Sequence, residues 1–357
     1  MYIALGMKIC DTICKIDFIT EVMEMNISEF AKIAGVSKSA VSRYFNKGYL
    51  SEDKRELIEK AIEETGYAPS VSAQNVRTKV TKLIGVILPK LSSESCARIT
   101  EGISEILNQE GYELLLVNTS NNCNKEIEYL ELFRQNRVDG VILLASMFTP
   151  MHERVLHKMR IPVVIVGQSH KGFCCVCHDD YGASYALTRL MLEKGSTNPA
   201  YIGVTDEDKA AGLARHNGFL NAIKEAGITL SLERQATAQF TVESGYETAQ
   251  RLFAHKPYPD SIFCATDSIA AGVMLYCREN GIKIPEEVMI SAVGDSMVGR
   301  MSMVTLTSAH LHYKTSGREA ARMLLSSIGS KEEIPRTMQL DYEIIEREST
   351  NHKYETV

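Results

Sequence analysis

No stretch of this chain approaches the roughly 18 consecutive apolar residues that a membrane-crossing helix needs, which argues against a spanning helix. The first 25 residues carry Lys8, Asp11, Lys15, Asp17, Glu21 and Glu24 too regularly for the apolar region of an export signal. The expected compartment is therefore the cytoplasm, with no membrane partner. Met7, Met23 and Met25 offer alternative starts, and residues 1–25 form a leader without an assignable role. Catalytic signatures are missing as well. No G-x-G-x-x-G opens a helix after the first strand, and no Walker A, G-x-S-x-G or H-E-x-x-H sequence occurs. The chain reads as a non-enzyme that needs no cofactor and no metal.

What is present suits two or three compact units: 357 residues, 45% of them hydrophobic. The net charge of −6 is unevenly placed. Residues 26–82 hold about three more cations than anions, which leaves about −9 on the remainder. A basic head on an acidic body fits contact with a polyanion through one end. Nine cysteines are an odd number, and Cys174, Cys175, Cys177 and His178 contain a C-x-x-C-H pattern. Haem attachment of that kind requires export, and zinc ligation is the other reading. FCCVCHDD, however, reads as a buried strand in which reduced thiols pack as small hydrophobes.

The most informative stretch is NISEFAKIAGVSKSAVSRYFN, residues 26–46. Asn26 with Glu29 makes a capping box, and Phe30, Ile33 and Ala34 recur on one helical face. Gly35 suits a left-handed stop. Ser37 caps a second helix in which Val41, Tyr44 and Phe45 turn inward while Lys38, Ser39, Ser42 and Arg43 face out. Hydroxyls and cations at a helix N-terminus are the chemistry of a major-groove reader. A hairpin with a merely solvated polar face reads the same way. Ser51 to Thr65 is a third helix, its inner face Leu57, Ile58, Ala61 and Ile62 closing a small core on Phe30, Ile33 and Val41. Gly66 stops it. SVSAQNVRTKVTK, residues 70–82, is polar and basic, with too few apolar residues to fold alone.

From Leu83 onward LIGVIL, YELLLVN, DGVILL, IPVVIVG, AYIGV, SIFCA and VMISAVG alternate with helical segments. Such continuous apolar runs imply strands buried on both faces, hence parallel sheets covered by helices. About 275 residues exceed one such sheet, so the fold class is α/β: an all-α helix-turn-helix head plus two doubly wound parallel-sheet lobes. Ligands of open α/β sheets bind at the carboxyl ends of the strands, which makes the interlobe cleft the expected small-molecule site.

Ala31 to Arg43, AKIAGVSKSAVSR, followed by Asn46, resembles the helix-turn-helix of LacI/GalR-family transcriptional regulators. The similarity continues through GYLSEDKRELIEKAIEETGYAPS and, more loosely, to RESTN at Arg347–Asn351. It implies a DNA-binding domain over 26–69, a hinge over 70–82, and a two-lobed, periplasmic-binding-protein-like effector and dimerisation domain over 83–357. The DNA-contacting residues it implies are Ser37, Lys38, Ser39, Ala40, Ser42, Arg43 and Asn46, with Ala73 and Val76 in the hinge. Val76 stands where the family commonly has a leucine that wedges between base steps, so a shallower kink is expected.

The resemblance also implies effector contacts. Arg215 precedes Gly218–Phe219 by three residues, at the family's ligand-forking arginine, and Phe240 falls on the position that stacks on a sugar ring. Asp180 and Asp267 match recurrent aspartates, the first for the cleft and the second for a helix cap. Thr266 and Ser95 complete the set. Where relatives have V-G-F-D-D this chain has Val293-Gly294-Asp295-Ser296, so either Asp295 supplies the ligand carboxylate one place early or the loop differs, and Asp295 or water is expected to hold Arg215 in the empty cleft. His310, His312 and Tyr313 mark a crossing between lobes. ISAVGDS, TLTSAHLHYKTSG and LDYEI give the chain a look of sucrose-operon repressors within the family. The implied protein is a homodimer on double-stranded operator DNA, controlled by a sugar or sugar phosphate. A sugar-binding sensory module without a DNA role is the alternative. No leucine heptads follow Arg347, so nothing points beyond a dimer.

Overall fold

Asn26 opens the first helix: its side-chain oxygen accepts from the Ser28 and Glu29 amides at 2.9 and 3.1 Å, and Glu29 accepts in return from the Asn26 amide. This is α1, Ile27–Ile33; Gly35 (φ +66°) then reverses the chain into α2, Lys38–Phe45. The third helix, α3, spans Glu52–Thr65 and stops at left-handed Gly66. Ser51 holds its cap position by backbone alone, for its hydroxyl accepts no bond from the helix. The computed structural model describes residues 25–46, 48–67, 80–135, 138–145, 147–254, 256–330 and 334–351. The leader before Met25, and residues 70–79 of the hinge with Ala73 and Val76, lie outside the described residues. The chain divides into two units, 1–80 and 81–357.

The core of the first unit is smaller than the sequence pattern suggests. Phe30, Val41, Ile58 and Ala61 are buried together as expected, but Ile33 is 52% and Leu57 48% exposed. Tyr67 takes their place, its ring stacked on Phe30 at 4.1 Å. Three helices this short enclose one layer of side chains, and an aromatic arriving after α3 fills it.

In the second unit the apolar runs become two six-stranded sheets. The first contains β1 (Leu83–Leu88), β2 (Glu113–Asn118), β3 (Gly140–Leu144), β4 (Val163–Val166) and β5 (Cys174–His178), with helices α4 (Glu94–Gln109), α5 (Cys123–Gln135) and α6 (Pro150–Leu156) between them. At β5 the chain leaves this lobe. It continues through α7 (Asp180–Glu193), β6 (Pro199–Gly203), a π-helical turn at Lys209–Ala214, α8 (Arg215–Glu225), β7 (Gln235–Thr237), α9 (Val242–Leu252), β8 (Ser261–Cys264) and α10 (Asp267–Glu279). Strand β9 (Met289–Val293), the short α11 (Met297–Arg300) and β10 (Thr307–Leu311) finish most of the second lobe. Helix α12 (Tyr313–Ser327) returns to pack on the first lobe, where β11 (Thr337–Leu340) pairs with β5. A last crossing leads to β12 (Tyr342–Ile345), beside β10. The strand orders are β11-β5-β4-β3-β1-β2 and β12-β10-β9-β8-β6-β7.

Each sheet is covered on both faces, as the continuous apolar runs require. Along β1, Ile84, Val86 and Leu88 enter one core cluster and Ile87 the opposite one. The thiols of β5 obey the same alternation: Cys174 packs on one face and Cys175 on the other, so they diverge. One strand departs from the all-parallel expectation, since β12 pairs antiparallel with β10. Where α4 meets α12 the backbones touch. A Cβ on Gly102 would come within 2.0 Å of the Lys314 carbonyl, and one on Gly317 within 2.0 Å of that of Ile99.

Candidate functional site

In the first unit, α2 presents Lys38, Ser39 and Arg43 as exposed side chains, with Ser37 exposed at its cap. The Ser37 hydroxyl accepts from the Ala40 amide at 3.2 Å and lies 2.9 Å from that of Ser39. Asn46 folds back, its amide donating to the Ser42 carbonyl at 2.7 Å, which steadies the helix end. Ala40 is a correction to the sequence-derived set of DNA contacts. It is 4% exposed, on the face turned to the head's interior, so its methyl is not offered outward.

In the second unit a cavity of about 410 Å³ opens between the lobes, at the carboxyl ends of the strands. Five of the six residues expected there do line it: Ser95, Asp180, Arg215, Phe240 and Thr266. Arg215 and Asp180 form its floor, both at least 95% buried. The arginine's Nε and Nη2 donate to one Asp180 oxygen at 2.8 and 2.6 Å, and Nη1 donates to the Ala265 carbonyl. Burial opposes the guanidinium's charge, but the Asp180 carboxylate outweighs it and holds the arginine above its ordinary pKa. Phe240 is half-buried against the second lobe's core, and its carbonyl accepts from Lys90 of the first lobe at 3.4 Å. Thr266 caps α10, and Ser95 pairs with the α4 cap, Ser93, at 2.8 Å.

Asp295 is the sixth, and it is not in the cavity. Its carboxylate meets Arg347 at 2.5 Å, His310 at 2.9 Å and Arg300 at 3.3 Å on the other side of its loop. Burial would raise its pKa, but the Arg347 and His310 hydrogen bonds prevail and lower it. The backbone at Asp295 is left-handed (φ +47°), which turns the side chain away while Gly294 and Ser296 line the cleft. Arg215 is therefore held by Asp180, not by Asp295. Asp267 begins α10 under the Thr266 cap and accepts from Ser296 and Ser308, tying the loops together.

Several lining residues are not evident from the sequence. Asp208 caps the π-helical turn and accepts from the Ala210 and Ala211 amides; burial raises its pKa. It follows β6, and the strand-end rule was the available signal. His178 ends β5, which is buried throughout as the strand reading of FCCVCHDD expects; that reading gives the histidine no place in the cleft. Arg98 of α4 reaches the Gly294 and Asp295 carbonyls at 3.2 Å each, and Glu94 accepts from the Met297 amide at 2.8 Å. These bonds join the lobes across the cleft mouth.

Residues 26–70 match the profile of the bacterial regulatory proteins of the lacI family, and residues 81–348 that of the periplasmic binding proteins and sugar binding domain of the LacI family. The sucrose operon repressor of Staphylococcus xylosus is 34% identical over 78% of this chain and 86% of its own length. A transcriptional repressor of Erwinia tasmaniensis named PurR is 33% identical over 90% and 96%. Among solved structures, the complex of the transcriptional regulator CelR with cellobiose superposes with a TM-score of 0.70 at 25% identity, over 91% of this chain and 99% of that one.

Proposed function

Since this chain belongs to the LacI family of bacterial regulatory proteins, we propose that it is a homodimeric repressor of a saccharide-utilisation operon. The observation that carries the saccharide part is the cleft floor. A rigid guanidinium fork fixed by Asp180 stands beside the Phe240 ring and the Thr266 and Ser95 hydroxyls. That combination suits a ring with one apolar face and many hydroxyls. Lys38, Ser39 and Arg43 read bases or phosphates from α2, while Ser37, Ser42 and Asn46 fix its ends. Two heads are needed because one reads only a half-site.

The effector acts by changing how the lobes meet at Arg98, Glu94 and Lys90. A coupling of about 1–3 kcal/mol, or 5- to 150-fold in operator affinity, is sufficient. A gel-shift titration on DNA from upstream of the chain's own gene, with and without saccharides, tests the reading. Specific retention of a DNA fragment with dyad symmetry, altered by a saccharide, is expected. Equal affinity for that fragment and for scrambled DNA would favour a sensory module without a DNA role.

A further inference from the structure

The cleft carries charge in a way that selects its ligand. Helices α4, α7 and α10 begin at it, and such ends are natural anion sites. Each is already occupied by the chain's own carboxylate, Glu94, Asp180 and Asp267 in their first turns, and Asp208, which caps the π-helical turn, is a fourth acid in the lining. Among the described residues the cavity is lined by three cations, two of them ion-paired with lining carboxylates. Arg215 is bound to Asp180, Arg98 to Glu94 and two loop carbonyls, and Lys90 to the Phe240 carbonyl. With Asp180 and Glu94 paired in turn, an incoming phosphate or carboxylate meets Asp208 and Asp267 against Lys90 alone.

Among the described lining residues, one buried side-chain atom is left without a hydrogen bond. His178 is 7% exposed, lines the cavity, and leaves its Nε2 without a hydrogen bond. Its ring stands edge-on to Tyr313 at 5.1 Å. An unsatisfied buried polar atom at a cavity wall is costly unless something fills the cavity and bonds it. Burial keeps this imidazole neutral by pulling its pKa down to about 4, against the pull of Asp180. Its Nε2 therefore either donates to a hydroxyl or accepts from one, according to tautomer, and a hydroxyl can meet both.

Resting on the cleft as the effector site, we propose that the effector is an uncharged, hydroxyl-rich molecule and that His178 Nε2 bonds one of its hydroxyls. Phosphorylated sugars and other anions are disfavoured by Asp208 and Asp267, the two lining carboxylates that make no ion pair among the described residues.

Thermal-shift and calorimetric titration of the full-length protein tests this, with sucrose, cellobiose and other unphosphorylated mono- and disaccharides as probes. Their 6-phosphates and inorganic phosphate are the counter-probes. At least one unphosphorylated saccharide should bind, and its 6-phosphate at least about tenfold more weakly. Replacing His178→Phe should weaken that saccharide by about tenfold, the size of one lost hydrogen bond, with His178→Gln falling between. As a check that needs no variant, the saccharide should shift the ring nitrogen resonance of His178 in nitrogen-15-labelled protein.

A phosphorylated probe that binds better than its neutral counterpart overturns the proposal, as does a panel in which no saccharide binds. An unchanged affinity in His178→Phe or an unmoved resonance does the same. Arg215→Ala separates failure of the proposal from failure of the site. If it abolishes binding of an anion, the cleft is the site and only the neutrality is wrong; if anion binding survives, the cleft reading itself fails.

Discussion

Arg215 and Asp180 come from the first residues of two different helices, α8 and α7, and meet inside the protein at 2.6 Å with neither side chain more than a few per cent exposed. The pair joins the second lobe's first helix to the cleft floor, and it makes the site's central cation electrically silent from outside.

Asp180→Asn should expose the cost of that arrangement. It keeps the shape but leaves Arg215 buried without its counter-charge, and breaking a buried pair costs about 3–5 kcal/mol. Urea unfolding of the wild type and the variant measures it. A variant as stable as the wild type would show that the pair is not what holds this floor together.

Lys38 and Ser39 stand exposed at the start of α2 and should carry base discrimination. Lys38→Ala and Ser39→Ala should each weaken binding to the preferred operator by about 1–3 kcal/mol for every good base interaction removed, and should change the order of preference. Selection from a randomised operator library reads this directly. An identical ranking for both variants would move recognition elsewhere on the head.

His178 gives a pH dependence with a definite sign. Burial lowers its folded pKa from 6.5 to about 4, so between those values the unfolded chain binds the extra proton. Stability is then full above about pH 6.5 and declines as pH falls toward 4, by about 3 kcal/mol at most. Asp180, Arg215 and His312 are the charged or titratable groups that act on it. The difference in unfolding free energy between wild type and His178→Gln, measured at pH 7.5, 6 and 5, should shrink toward acid. A constant difference would mean that the imidazole titrates in the folded protein as it does in the unfolded chain.

Gly102→Ala should loosen the first lobe. The new methyl would lie 2.0 Å from the Lys314 carbonyl, a backbone atom that cannot rotate aside. The α4–α12 pair must separate, at about 1–3 kcal/mol. A fall in melting temperature checks this, and an unchanged one would mean that the helices slide freely.

How much of the fold is legible in the sequence follows physical scale. Local signals read well: the Asn26–Glu29 box, Gly35, the long apolar strands and the two-lobed α/β class all depend on neighbours in sequence. The short edge strands are harder. β7 has three residues, and β11 is largely exposed, so neither carries an apolar run. Reversal of β12 leaves no trace either, because strand direction is set by the crossing before it and not by its own composition.

The cleft divides in the same way. Arg215, Asp180, Phe240, Thr266 and Ser95 are placed by motif and do line it. Asp295 is misplaced by motif because its direction depends on one left-handed residue and on Arg347, 52 positions away. His178 is visible in the sequence as a metal-ligand candidate, and only the fold reveals its unpaired nitrogen.

The three crossings between lobes also set the order in which this protein can be made. The first lobe's sheet lacks β11, and its core lacks α12, until the ribosome has passed residue 340. The second lobe, from Asp180 to Leu311, is an insertion that emerges in between, short of β12 and the Arg347–Thr350 segment after it. At about 5–20 residues per second the five strands β1 to β5 wait on the order of ten seconds or more, with the flank of β5 unpaired. That flank is lined by the backbone of Cys174–His178, whose neighbours are thiols. A nascent chain stalled in this interval would present an open strand edge and cysteines together, which makes the interval before α12 emerges the point at which a holding chaperone has most to protect.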